Sequence, residues 1–244
     1  MPRFFADKNN ISDNHIIING SDAIHIGRSL RMKIGEELIL CCDKIDYKTK
    51  ITSISDKEVY CEILDKFPID SEPDINLTLY QAVPKLDKLE LITQKAVELG
   101  AMKIVPVITS RCISRPDKKG FSKKKERLNK IALEAAKQSG RGIIPEVLDI
   151  LDFKTAVLKL KEHDYSFVCY ENGGVPFSYV VDPSDFKNKS IGLFIGSEGG
   201  FSESEIKLCE DMGINTISMG KRILRCETAP ISAISIIMAL SGNM

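Results

Sequence analysis

The sequence has no tryptophan, only three histidines, and no Cys-x-x-Cys pair among its seven cysteines. The histidines (His15, His25, His163) and the cysteines (Cys41, Cys42, Cys61, Cys112, Cys169, Cys209, Cys226) are scattered, without the clustered spacing a zinc site requires, so no metal is expected. The cysteines read as reduced, mostly buried thiols. Long apolar runs are missing too: residues 191–195 and 231–240 fall well short of the roughly 20 residues that span a bilayer, and no membrane helix is expected. The opening Met-Pro-Arg-Phe-Phe-Ala-Asp lacks a basic stretch followed by an apolar one, so the expectation is no secretory signal and a cytoplasmic location. Net charge is absent as well, since 34 Lys and Arg balance 34 Asp and Glu, which argues against a wholly basic nucleic-acid coat.

What is present is a core and a local charge patch. With 244 residues and 43% hydrophobic content, the chain can bury one large domain or two ordinary ones. Residues 111–130 concentrate Arg111, Arg115, Lys118, Lys119, Lys123, Lys124, Lys125, Arg127 and Lys130 against Asp117 and Glu126, a patch suited to a polyanion or else a solvated charged face.

Two grammars divide the chain. Residues 16–18, 37–42, 50–54 and 59–64 alternate as short strands between turn signals, which predicts a small β-barrel over 1–70. Residues 67–74, with Pro68 and Pro73, read as the linker. From 75 onward strands alternate with helical patterns: strands at 77–83, 103–108, 165–170, 191–195 and 216–219, and helices at 86–99, 122–139, 153–162, 203–212 and 231–240. That alternation predicts a parallel α/β domain over 74–244.

Two loops in this second part carry the chemistry. Gly196-Ser197-Glu198-Gly199-Gly200 follows a strand directly, and Ser202 with Glu205 forms a capping box that starts the next helix. Strand, glycine loop and helix make a ligand crevice at the carboxyl ends of parallel strands, although glycines also serve ordinary connections. The spacing matches neither G-x-G-x-x-G nor a Walker loop. The second loop, Met219-Gly220-Lys221-Arg222-Ile223-Leu224-Arg225-Cys226-Glu227, carries an apolar pair bracketed by charge, which suits a wall around a flat ligand such as adenine. Thr228 is the expected N-cap of the helix that follows.

Taken with the second loop, Gly196-Ser-Glu-Gly-Gly-Phe-Ser-x-x-Glu205 resembles the RsmE family, SPOUT-class methyltransferases that make N3-methyluridine in 16S rRNA. Four further stretches match: Pro2-Arg3-Phe4-Phe5, His25-Ile-Gly-Arg28-Ser-Leu30-Arg31, Gln94-Lys95-Ala96-x-Glu98-Leu99-Gly100 and Glu134-Ala-Ala-Lys-Gln138-Ser139-Gly140-Arg141. One departure is Ser197, where the family usually has proline. The resemblance implies a PUA-like RNA-binding barrel and a C-terminal SPOUT domain closed by a trefoil knot. It also implies S-adenosylmethionine bound among Tyr170, Glu171, Ile195, Gly196, Ser197, Glu198, Gly199, Gly200, Met219, Gly220, Ile223, Leu224 and Arg225. Arg3, His25, Arg28, Arg31, Arg111, Lys123, Lys124, Lys125 and Arg141 become the expected RNA contacts, with 16S rRNA or the small ribosomal subunit as partner and a homodimer as the assembly.

For the reaction itself, neutral uridine N3 carries a proton, so a base or an anion-stabilising cation is needed. Arg225 is expected to stabilise charge on a uracil carbonyl, with Glu227 or Glu198 orienting it or accepting the proton. A structural Arg–Glu pair is the alternative, as is a Glu198 that only faces the cofactor's amino group. Two other functions compete: a non-catalytic RNA-binding or assembly protein, and a knotted methyltransferase for a tRNA base or a ribose 2′-hydroxyl.

Overall fold

The computed structural model describes residues 1–176, 179 and 183–244. The chain separates into two compact units, Met1–Glu72 with Ala136–Ile143, and Pro73–Ala135 with Ile144–Met244.

The first unit is built on five strands: β1 (Arg3–Phe5), β2 (His15–Asn19), β3 (Glu37–Cys42), β4 (Ile45–Ile54) and β5 (Glu58–Pro68). They run in the order β1-β3-β4-β5-β2, antiparallel except for the parallel β1/β3 pair. Alternation along β2 and β3 turns Ile16, Ile18, Leu38 and Leu40 inward, and they meet Phe4, Ile26, Ile51 and Val59 in one core. A short helix, α1 (Gly20–Ile24), continues into a turn over His25–Ser29 that the alternation did not suggest. The linker starts later than expected, because Phe67 and Pro68 still pair with Asp46 and Ile45 on the neighbouring strand.

Residues 136–143 belong with this unit, a grouping the sequence pattern did not indicate. The Arg141 guanidinium, with its side chain 2% exposed, bonds both oxygens of Glu72 at 3.0 and 2.8 Å. Glu72 also accepts the backbone N–H groups of Gly142 and Ile143. Burial pushes the Glu72 carboxyl up, but the guanidinium and the two amides outweigh it and hold the group below its ordinary range.

The second unit contains a sheet in the order β11-β13-β10-β12-β6-β7-β8, with β9 also on β7, every pair parallel. The strands are β6 (Asn76–Ala82), β7 (Lys103–Ile108), β8 (Glu146–Val147), β9 (Leu151–Asp152), β10 (Tyr165–Cys169), β11 (Val175–Pro176), β12 (Ser190–Ile195) and β13 (Asn215–Ser218). Every residue of β6 after Asn76 and of β12 after Ser190 is buried, because both faces of these central strands are covered. The helices are α2 (Lys88–Glu98), α3 (Lys118–Gln138), α4 (Phe153–Leu160), α5 (Glu203–Asp211) and α6 (Thr228–Leu240). The α2 stripe of Leu89, Ile92, Ala96 and Val97 is buried, as its spacing predicts. Helix α3 starts four residues before the expected position; Asp117 Oδ1 accepts the Gly120 N–H at 2.7 Å and so supplies the cap. At α6 the N-cap is Glu227, and Thr228 is the first helical residue.

Candidate functional site

Three connections at the carboxyl ends of neighbouring strands β10, β12 and β13 converge on one cavity of about 410 Å³. Parallel pairing brings Val168 opposite both Phe194 and Thr216, so the strand ends line up and their loops face one space. Tyr170 and Glu171 follow β10; Ile195, Gly196, Ser197, Glu198 and Gly200 come from the end of β12 and its loop; Met219, Gly220, Ile223, Leu224 and Arg225 follow β13. Every expected cofactor residue therefore lines the cavity except Gly199, whose carbonyl turns away to accept the Arg111 guanidinium at 2.9 Å.

The first loop is as tight as its glycines suggest. Gly200 has φ +64°, and a Cβ there would run into the Glu171 carboxylate; a Cβ on Gly196 would meet Gly200 Cα at 3.1 Å. A side chain is strained at Gly200 and crowded at Gly196, and the bare backbone of both lines the cavity. Ser202 and Glu205 complete the capping box that starts α5. Glu205 also accepts the Ser110 N–H at 2.7 Å and the Ser110 hydroxyl at 2.8 Å, tying the loop after β7 to the same helix start.

The charged groups do not form the alternative Arg–Glu pair. Lys88, which sequence reading passed over, reaches Glu198 at 3.3 Å and Glu227 at 3.1 Å. Glu198 also accepts the Lys85 N–H at 3.1 Å. Partial burial pushes the Glu198 carboxyl up, but the backbone amides and the Lys88 ammonium outweigh it and leave the group below its ordinary range. For Glu227 burial again acts upward, and the Cys226 thiol, its own amide and Lys88 win in the same direction. Both carboxylates are thus ionised at neutral pH. The Cys226 thiol, buried and hydrogen-bonded to Glu227, is pushed up to about 12, so it stays protonated and is no nucleophile. Arg225 is exposed, and among the described residues its guanidinium has no hydrogen-bond or salt-bridge partner.

These residues fit an adenosyl cofactor. Ile195 and Leu224 offer an apolar wall, and Ser197 lines the cavity with a buried Oγ that has no hydrogen-bond partner among the described residues. Proline in that position would offer no such hydroxyl. No group of His, Cys, Asp and Glu capable of holding a metal occurs among the described residues.

The expected RNA contacts divide into three groups. Arg3 and Arg141 are engaged within the first unit: Arg3 bonds Asp46 at 2.8 Å and the Arg141 carbonyl at 2.7 Å, and the Arg141 guanidinium bonds Glu72. Arg111, Lys124 and Lys125 are engaged within the second unit, with the Gly199 carbonyl, the Leu86 carbonyl and Asp149 respectively. His25, Arg28, Arg31 and Lys123 are exposed; Arg28 makes only a solvated contact with Asp56 at 3.3 Å, and the His25 ring lies edge-on to Phe4.

Residues 71–238 match the family described as the RNA methyltransferase domain, and residues 18–64 match the RNA methyltransferase PUA domain. The chain is 36% identical over 227 residues to ribosomal RNA small subunit methyltransferase E of Bacillus subtilis (strain 168), covering 90% of this chain and 88% of that one. It is 32% identical over 231 residues to the protein of the same name from Mesomycoplasma hyopneumoniae (strain 232), covering 95% and 96%. Among solved structures, a ribosomal RNA small subunit methyltransferase E from Neisseria gonorrhoeae bound to S-adenosyl methionine is 31% identical, with 98% of each chain covered and a TM-score of 0.88.

Proposed function

This chain belongs to the ribosomal RNA small subunit methyltransferase E family, and on that premise we propose that it methylates N3 of one uridine in 16S rRNA. It is an S-adenosylmethionine-dependent rRNA methyltransferase. The observation that carries the reading is the meeting of both motif loops around one cavity at the strand ends, with an uncommitted arginine at its edge.

When bound, the cofactor supplies an electrophilic methyl group. The chain's own residues then have two tasks. Gly196, Ser197 and Gly200 with Ile195 and Leu224 would hold and orient the adenosyl moiety, which places the methyl carbon for in-line attack. The second task is to make uridine N3 a nucleophile as its proton leaves. Arg225, with no internal partner among the described residues, is the group suited to the negative charge that develops on a uracil carbonyl. Glu198 and Glu227 are held as carboxylates, which equips either to take the departing proton but makes it a weak base.

The first unit, with Arg28 and Arg31 exposed, would position RNA through phosphate contacts while the cavity of the second unit chooses the base. The same reading includes a trefoil knot in that domain, a homodimer and a cytoplasmic location. Light scattering of the purified chain tests the dimer. The decisive experiment incubates the chain with S-adenosylmethionine and small subunits or 16S rRNA from a strain lacking this activity, then digests the RNA for mass spectrometry. N3-methyluridine at one position is expected; a methylated ribose, a different base or no product overturns the reading.

A further inference from the structure

Lys88 stands at the start of α2, outside both motif loops. Its Nζ lies 3.3 Å from Glu198, 3.1 Å from Glu227 and 3.6 Å from Cys226 Sγ, and it lines the cavity itself. One ammonium therefore touches the loop after β12 and the loop after β13 together. The connection that carries it grips Glu198 a second time, through the Lys85 N–H. An ammonium has three donors and no fixed fork, which suits acceptors spread over two loops. Helix stability alone would not select it: a cation in the first turn opposes the helix dipole.

We propose that Lys88 is a positioning residue that bridges Glu198 and Glu227, fixing the separation of the two loops that wall the cavity and the direction in which Arg225 is presented. Arg225 is two residues before Glu227, so a shift at the bridge is passed to it along a short stretch of backbone. The inference rests on the cofactor reading of this cavity. Its failure is separable, because the unaltered chain binding S-adenosylhomocysteine tests that reading alone.

The test uses the full chain and S-adenosylhomocysteine, with affinity measured by calorimetry and turnover measured at saturating cofactor. Lys88→Met keeps the stem and removes the charge. It is expected to weaken affinity by about tenfold, the scale of one charge-assisted hydrogen bond, and to lower kcat as well. The ligand-free thermal midpoint should barely move, since the bridge is partly solvated. Lys88→Arg, which keeps the charge but not the freely placed donors, should recover part of both losses. Wild-type affinity and kcat in Lys88→Met overturn the proposal; so does an arginine variant no better than the methionine one, or a thermal midpoint that falls in step with affinity. Should Lys88→Met not fold, Glu198→Gln, Glu227→Gln and their combination decide it. If one bridge joins the loops, the double variant binds no more weakly than the worse single one; additive losses overturn the bridge.

Discussion

At the scale of single residues, the site holds both groups that fix its shape and cations, Arg225 among them, that have no partner among the described residues. On the proposed role of Arg225, stabilising charge present only during transfer, Arg225→Ala should lower kcat on the order of 10²-fold while S-adenosylhomocysteine affinity stays near wild type. Arg225→Lys should restore little if the contact is bidentate. Loss of cofactor affinity in proportion to activity would make Arg225 part of the scaffold. Gly200 is the opposite kind of residue: its φ of +64° strains any side chain, and a Cβ there would require the Glu171 carboxylate to swing aside. Gly200→Ala should destabilise the fold by about 1–2 kcal/mol through left-handed strain, and should weaken cofactor binding as Glu171 moves. Thermal unfolding with and without S-adenosylhomocysteine reads both effects, and an unchanged ligand-induced shift contradicts the second.

At the scale of elements, the basic helix α3 and the loop before it show why charge counting misleads. Lys125 is paired with Asp149, Arg127 with Glu90, and Lys124 with a carbonyl, whereas Lys123 is exposed and has no partner among the described residues. Lys123→Ala should reduce the slope of log affinity for rRNA against log salt by about 0.7–0.9, one phosphate contact. Lys125→Ala should change it far less, because that ammonium is already neutralised; equal effects on filter-binding curves would refute the distinction. The elements themselves were largely legible. β3 and β7 fall within the residues their alternation and apolar runs mark out, and the capping box at Ser202 is formed. Three kinds of feature were not. β8 and β9 are two residues each, too short for any periodicity. The commitment of Arg3 and Arg141 to internal partners follows from burial, which the local sequence does not express. Lys88 meets Cys226 from 138 positions away, so only the folded arrangement reveals what it serves. The glycine loop and the Ile-Leu-Arg loop could be read because both are local motifs whose residues lie side by side in the chain.

At the scale of the molecule, Glu72 and Arg141 staple a distant stretch of sequence onto the first unit. The folded Glu72 carboxyl lies below its ordinary value, so the stability it contributes is full above about pH 4.3, the unfolded value, and is lost as pH falls through the folded one. Glu72→Gln should cost about 3 kcal/mol at neutral pH, as breaking a buried pair does, and should flatten the decline on acidification. Urea unfolding at neutral and acid pH measures both; an unchanged pH dependence would assign the acid lability elsewhere. The all-parallel sheet has a consequence of a different kind, one that concerns time. β6 takes its register from β12, with Leu77 opposite Ile191 and Tyr80 opposite Phe194. On the ribosome, β6 has emerged long before its central neighbour is synthesised, and one flank of that apolar strand waits without its hydrogen-bonding partner. Pairings this remote close slowly, and the waiting edge is open to other chains. Refolding from denaturant should therefore be slow and concentration-sensitive, with yield falling as protein concentration rises, so an enzyme that modifies the ribosome's RNA would itself depend on protection while the ribosome is still making it.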